Sequence, residues 1–146
     1  MQPLIVFLFL SVASLVSAQS TLEVKIQVDD SMKFSASEIE ARPGQKLIVE
    51  LKNLGNPKAN MAHNFILLKK GTDPAEYAAK AITAADELFQ PHELDDKVIA
   101  SSCVIGPGQA QKIVFDAPLE EGVYYYLCSF PGHFLIGMKG QLIIAK

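Results

Sequence analysis

The chain has 146 residues, 49% of them hydrophobic and 20% charged, with a formal net charge of −3. That length suits one domain around one well-filled core, and the mildly acidic balance argues against a nucleic-acid partner. Trp is absent, so the core has to be filled by aliphatic side chains, Phe and Tyr.

Residues 1–18 read as a secretory signal peptide. Positions 4–10 are apolar, and Val16-Ser17-Ala18 gives small residues before a cleavage site. The run is too short to span a bilayer comfortably. No Lys or Arg precedes it, and Gln19-Ser20 offers no Cys for lipidation. The expectation is an exported, soluble domain of residues 19–146, without membrane insertion after cleavage. It keeps the whole net charge, because residues 1–18 carry no charged side chain.

Leu22, Val24, Ile26 and Val28 alternate with Glu23, Lys25, Gln27 and Asp29, a period of two that predicts a half-buried strand. Asp29-Asp30-Ser31 ends it, and shorter alternations follow at Met32, Phe34 and Ala36 and over residues 38–41. Pro43-Gly44 marks a turn. Leu47, Val49 and Leu51 resume the strand pattern, and residues 53–60, with Gly55 and Pro57, read as a loop. Residues 63–68 are apolar enough for a strand buried on both faces. Then the regime changes. Asp73 as N-cap, Pro74 at the first helical position and Glu76 three residues after the cap predict a helix start. The Ala-rich run to Phe89 supports one helix or two short ones, closed by Pro91. Residues 98–105, 111–116, 123–127 and 141–145 complete the strands, with turns at Gly106-Pro107-Gly108 and over 117–122. Short strands at this spacing predict an all-β Greek-key sandwich of about eight strands, with a helical insertion around residues 73–90.

The chemistry is concentrated in residues 126–138, Tyr-Leu-Cys-Ser-Phe-Pro-Gly-His-Phe-Leu-Ile-Gly-Met. Cys128, His133 and Met138 follow one another at intervals of five. On a strand or helix these would not meet, but a loop punctuated by Pro131, Gly132 and Gly137 can fold round a centre. Two soft sulfur donors and one imidazole suit copper, and two His, one Cys and a weak axial Met make the blue-copper electron-transfer arrangement. A second His is needed. His63 stands at a loop-to-strand corner after Asn60-Met61-Ala62; alone it reads as a structural histidine, but paired with the Cys128 loop it becomes a candidate ligand. His92, in Gln-Pro-His-Glu, reads as a solvated surface histidine. Met32 and Met61 read as gap fillers; Met138 would too, were it not for its place after Cys128 and His133. Cys103, in Ala-Ser-Ser-Cys-Val-Ile-Gly, has a buried-strand context and reads as a small core residue or a half-exposed thiol. A Cys103–Cys128 disulfide would leave the His and Met spacing unexplained.

Met61-Ala-His-Asn-Phe65 resembles the azurin segment Met-Gly-His-Asn-Trp, and Cys128-Ser-Phe-Pro-Gly-His133 resembles its Cys-Thr-Phe-Pro-Gly-His. Asp30-Ser-Met-Lys-Phe34, Asn56-Pro-Lys58, Val98-Ile-Ala100 and Ile105-Gly106 match in the same order. The chain therefore resembles the small blue-copper proteins (cupredoxins), azurin and its auracyanin relatives, over nearly all of residues 19–146. The resemblance implies one type 1 copper with His63, Cys128 and His133 as equatorial ligands and Met138 as the long axial one. It also implies a still weaker contact from the Ala62 carbonyl, and a thiolate hydrogen-bonded by the N–H groups of Asn64 and Phe130. Several features depart from azurin. Four residues, 134–137, separate His133 from Met138, as in auracyanins, where azurin has three. Ala62 stands for Gly and Phe65 for Trp, and the azurin disulfide is missing, its positions falling near Leu22 and Gly44.

A filled four-donor site leaves no open position for a substrate. The implied protein is not an enzyme but a periplasmic, monomeric electron shuttle. Its redox partners would be c-type cytochromes and copper or haem enzymes such as terminal reductases and oxidases. They would dock on an apolar patch of Met32, Met61, Phe130, Pro131, Phe134 and Leu135 around a His133 ring edge at the surface. Two alternatives use the same donors. A copper-trafficking or storage protein would carry Met- or His-rich tails, which this chain lacks. A thiol enzyme would use Cys128 as nucleophile and His133 as base. Zinc suits the same Cys and His set.

Overall fold

The computed structural model describes residues 20–146, so the signal-peptide expectation for residues 1–18 lies outside the described residues. Eight strands form: β1 (Leu22–Val28), β2 (Glu38–Ala41), β3 (Lys46–Asn53), β4 (Ile66–Leu68), β5 (Val98–Ser101), β6 (Ala110–Asp116), β7 (Gly122–Leu127) and β8 (Lys139–Ile144). They make a three-stranded sheet in the order β1-β3-β6 and a five-stranded sheet in the order β2-β8-β7-β4-β5. β1 lies parallel to β3 and β2 parallel to β8, while the remaining pairs are antiparallel. This is the predicted sandwich.

The period-two pattern explains where the core sits. On β1 and β3, Ile26, Leu47, Val49 and Leu51 are fully buried while Lys46 and Lys52 stay exposed. The inner faces of the two sheets meet there, together with Phe65, Leu67, Cys128, Met138 and Leu142. In place of an indole, three rings fill the centre. Phe34, Phe65 and Tyr126 pack with centroids 5.0, 5.3 and 6.2 Å apart, two of the pairs edge-on. The Tyr126 hydroxyl donates to the Ala36 carbonyl at 2.5 Å, which satisfies the one polar atom that the ring buries. Its neighbour across β8 has to be Gly140, because a Cβ there would lie 2.2 Å from the ring.

A second, smaller core lies on the outer face of the five-stranded sheet. Along β4 the side chains alternate, Phe65 and Leu67 toward the inner core, Ile66 and Leu68 toward Tyr77, Ala78 and Ala81. That is why residues 63–68 carry no polar stripe. The covering helix α1 (Pro74–Thr83) starts as its cap predicts, with Asp73 Oδ1 accepting the Ala75 N–H at 2.8 Å.

Three boundaries differ from the periodicity. Pro91 does not close the insertion: it precedes a 3-10 turn, His92–Lys97, so the insertion runs on to β5. Residues 32–36 form no strand; Met32 adopts a left-handed φ of 55° and Phe34 turns inward as a core plug. β5 stops at Ser101, because the Ser102 hydroxyl takes the Phe65 N–H at 2.9 Å and donates to the Cys103 carbonyl at 2.8 Å. Cys103 is therefore exposed and outside any strand, contrary to its apolar sequence context, and both cysteines are free.

Candidate metal centre

His63, Cys128 and His133 meet at one end of the sandwich, all buried, with their ligand atoms within 4.8 Å of one another. The Cys128 Sγ lies 3.5 Å from His133 Nδ1, and the two imidazole centroids are 4.9 Å apart. The three come from separate pieces of backbone. His63 exchanges two hydrogen bonds with Ile105, at 3.0 and 2.8 Å, in an isolated bridge before β4 begins. Cys128 follows the last residue of β7. His133 sits in the turn beyond it.

The intervals of five have a backbone cause. The Cys128 N–H donates to the Met138 carbonyl at 3.1 Å, and the Met138 N–H to the His133 carbonyl at 3.0 Å. The His133 N–H in turn donates to Phe130 at 3.1 Å. The loop is thus closed upon itself, with Gly132 at φ 83° and Gly137 at φ 95° supplying the left-handed turns it requires. Met138 is fully buried, and its backbone is tied by these bonds to Cys128 and His133.

Asn64 fastens this loop to the His63 segment. Its N–H points at Cys128 Sγ at 3.5 Å, its Nδ2 donates to Ser129 Oγ at 2.8 Å, and its Oδ1 accepts the Ser129 N–H at 2.8 Å. The Ser129 hydroxyl then donates to the Phe89 carbonyl at 2.6 Å. Phe89 and its predecessor Leu88 both hold left-handed φ values, 60° and 54°. The conformation is unfavourable for non-glycine residues, and it turns the middle of the insertion onto the loop. There the Phe89 ring packs edge-on against Phe130 at 5.1 Å, and Phe130 lies 5.0 Å from the His133 ring.

Two of these supports went unrecognised in the sequence. One is the Phe89 contact. The other is Asn53, which continues the buried series Leu47, Val49, Leu51. Its amide donates to the Met61 and Ile105 carbonyls at 2.9 and 3.1 Å and accepts the Gly55 N–H at 2.9 Å. It thereby holds the loop before His63 against Ile105, the bridge partner of His63. A polar residue continuing a buried period was the signal.

Burial sets the electrostatics. It pushes the Cys128 thiol up to about 11, against the Asn64 and Phe130 N–H groups, which favour the thiolate. Burial, and then the neighbouring His63, push His133 down to about 4. His63 is also lowered by burial, opposed by the Asp29 carbonyl and by the Asp29 and Asp30 carboxylates. The Asp29 carbonyl is near enough to favour a charged ring, yet neither His63 nitrogen makes a hydrogen bond of ordinary geometry with protein. Two orphaned imidazole nitrogens beside a thiol whose neighbours favour the anion fit a soft cation. Such an ion displaces the thiol proton and satisfies the imidazoles. His92 is exposed and paired with Glu87 at 3.4 Å, away from this cluster.

The description "Copper binding proteins, plastocyanin/azurin family" fits residues 20–145. The chain belongs to that family. It is 36% identical to an azurin of Alcaligenes faecalis over 124 residues, covering 82% of this chain and 95% of that one. It is 30% identical over 125 residues to auracyanin-B of Chloroflexus aurantiacus, 85% of this chain but 52% of the longer relative. Among solved structures, a dithionite-reduced auracyanin of Roseiflexus castenholzii superimposes with a TM-score of 0.77 at 30% identity, covering 88% of this chain and 100% of that one. An azurin of Methylomonas sp. strain J gives 0.74 at 30% identity, over 86% and 98%. With these relatives, the cupredoxin fold and the His63, Cys128 and His133 cluster, the chain is a blue-copper electron-transfer protein holding one type 1 copper.

Proposed function

We propose that the chain is a periplasmic, monomeric electron shuttle, not an enzyme. In this reading residues 1–18 direct export and are removed, and residues 19–146 form the blue-copper domain. His63, Cys128, His133 and Met138 would hold the copper, with a weaker contact from the Ala62 carbonyl. The convergence of three buried donors within 4.8 Å carries this reading. Copper, when bound, supplies a one-electron Cu(II)/Cu(I) couple. The chain's part is to hold the donors still and dry. The backbone bonds joining Cys128, Met138 and His133, and the Asn64–Ser129 clasp, set the donor positions without help from a metal. The Asn64 and Phe130 N–H groups draw charge from the thiolate and favour the reduced state.

His133 is the electron port. It keeps 4% exposure, a narrow window in place of a projecting ring edge. Around it Leu135 is 80% and Ile136 51% exposed, an apolar surface suited to brief docking with c-type cytochromes and copper or haem enzymes. The test is the optical and EPR spectrum of the copper-loaded protein together with its voltammetry. Intense absorption near the red end of the visible spectrum and a fast reversible couple are expected. A colourless or redox-silent copper complex overturns the shuttle and favours copper trafficking. Ready alkylation of Cys128 in the loaded protein overturns it in favour of thiol chemistry.

A further inference from the structure

Apart from the His63 nitrogens, one buried side-chain polar atom among the described residues has no partner: Oδ1 of Asp30. Asp30 stands in the turn after β1 and is only partly buried, yet this oxygen is shut off from water. Its other oxygen accepts the Asn56 N–H at 3.0 Å, and among the described residues Asp30 enters no ion pair. The orphaned oxygen closes over Gly55 together with Asn53 Oδ1. A Cβ on Gly55 would lie 2.6 Å from the first and 2.9 Å from the second. Asn53 Oδ1 is itself an acceptor, taking the Gly55 N–H at 2.9 Å. Two acceptors thus crowd one place, and neither has a proton to give the other.

A dry, unpaired carboxylate oxygen destabilises a fold. An amide of the same outline would avoid this, keeping the Asn56 N–H on its oxygen and turning its NH₂ toward Asn53 Oδ1. The fold alone therefore does not explain an acid at position 30. The place does. The carbonyl of the preceding residue, Asp29, lies against the His63 ring, and the carboxylates of Asp29 and then Asp30 favour a positive charge there. Asp29 is exposed, and its Oδ1 is taken by the Ser31 N–H at 2.9 Å. Asp30 keeps its oxygen dry and unshared. Asn53 reaches the same region, since its amide holds the Met61 and Ile105 carbonyls on either side of His63.

We propose that Asp30 is an underbonded carboxylate retained for its field at His63, and that it holds the reduction potential of the copper down at the expense of fold stability. The oxidised site carries one positive charge more than the reduced site, so a fixed negative charge beside His63 favours Cu(II). Asp30 thereby opposes the Asn64 and Phe130 N–H groups, which favour the reduced state. The potential lies between these two influences, one acting on the thiolate and the other on an imidazole. This rests on the reading of His63 as a copper ligand, and the experiment separates the two.

Asp30→Asn and Asp30→Ala are each measured twice, the metal-free protein in chemical denaturation and the copper-loaded protein by voltammetry. The optical spectrum of each loaded sample checks that the site is intact. In Asp30→Asn the Cu(I)/Cu(II) ratio at a fixed potential should rise about threefold, a positive shift of about 30 mV where a tenfold change is about 59 mV for one electron. Its unfolding midpoint, without metal, should move to higher denaturant. Asp30→Ala should show the same shift in potential but a lower midpoint, because the Asn56 N–H loses its acceptor. A purely structural residue would move the midpoints and leave the potential alone. An unchanged potential in both variants, with the wild-type spectrum, overturns the tuning role and leaves the ligand reading standing. A midpoint for Asp30→Asn below wild type overturns the claim that the carboxylate is underbonded. Absence of a reversible couple in the wild-type protein overturns both the tuning role and the shuttle.

Discussion

The ligand loop and the helical insertion leave the same sheet from neighbouring strands and are built in opposite ways. The loop is uncharged from Cys128 to Met138, closed by its own backbone bonds, and hides all four candidate donors. The insertion is highly charged, turns midway through two left-handed non-glycine residues, and leaves Ile82 and Leu88 in solvent. One region gains by moving little when the charge at its centre changes by one electron. The other leaves its charges and part of its apolar surface in solvent. They meet at Ser129 and Phe130, where the insertion's Phe89 presses on the residues beside Cys128.

The difference is broken most completely at the loop. Cys128→Ser removes the soft donor, so the copper-loaded variant should lose the intense visible absorption altogether, as read from its optical spectrum. Next comes Gly140→Ala, two residues beyond Met138 and opposite Tyr126. The added methyl falls 2.2 Å from the Tyr126 ring, and forcing that ring out of the three-ring cluster should cost about 3 kcal/mol in chemical denaturation. If the variant is as stable as wild type, the cluster is not what fills the core in place of Trp. Asn53→Ala follows, at about 2 kcal/mol, because it leaves the Met61 carbonyl and the Gly55 N–H without their partner and takes from the Ile105 carbonyl one of its two donors, the His63 N–H being the other. It should also loosen copper, since His63 hangs between those two carbonyls in sequence and space. Unchanged copper affinity would separate Asn53 from the site.

The donors were legible because the chain has so few of them, three His and two Cys, and because a regular interval in a Gly-punctuated loop has no helical or strand explanation. The strands with one solvated face were legible for the same reason: periodicity records burial directly. What could not be read was set by tertiary contacts. The left-handed turn at Leu88 and Phe89 exists because the Phe89 ring finds Phe130 and its carbonyl finds Ser129, forty residues away in sequence. Cys103 sits among apolar neighbours but lands beyond the strand, because Ser102 diverts the backbone pairing. Leu88 and Ile136 look like core residues and are left in solvent. Residue type alone cannot mark an apolar side chain kept outside.

The smallest effects test whether the two regions are coupled at all. Asp73→Ala removes the α1 cap and should cost about 1 kcal/mol while leaving the copper spectrum unchanged, since the cap lies at the start of the helix. Ser129→Ala should cost a comparable amount, about 1 kcal/mol, by deleting the bonds to Phe89 and from Asn64. Its consequences should differ in kind. Freed from Ser129, the strained Leu88–Phe89 turn can relax, so amide exchange there should quicken. The Phe130 ring loses its backing, and the EPR signature of the copper should shift with it. If both variants cost the same and both leave the spectrum untouched, the insertion rests on the loop without steadying it.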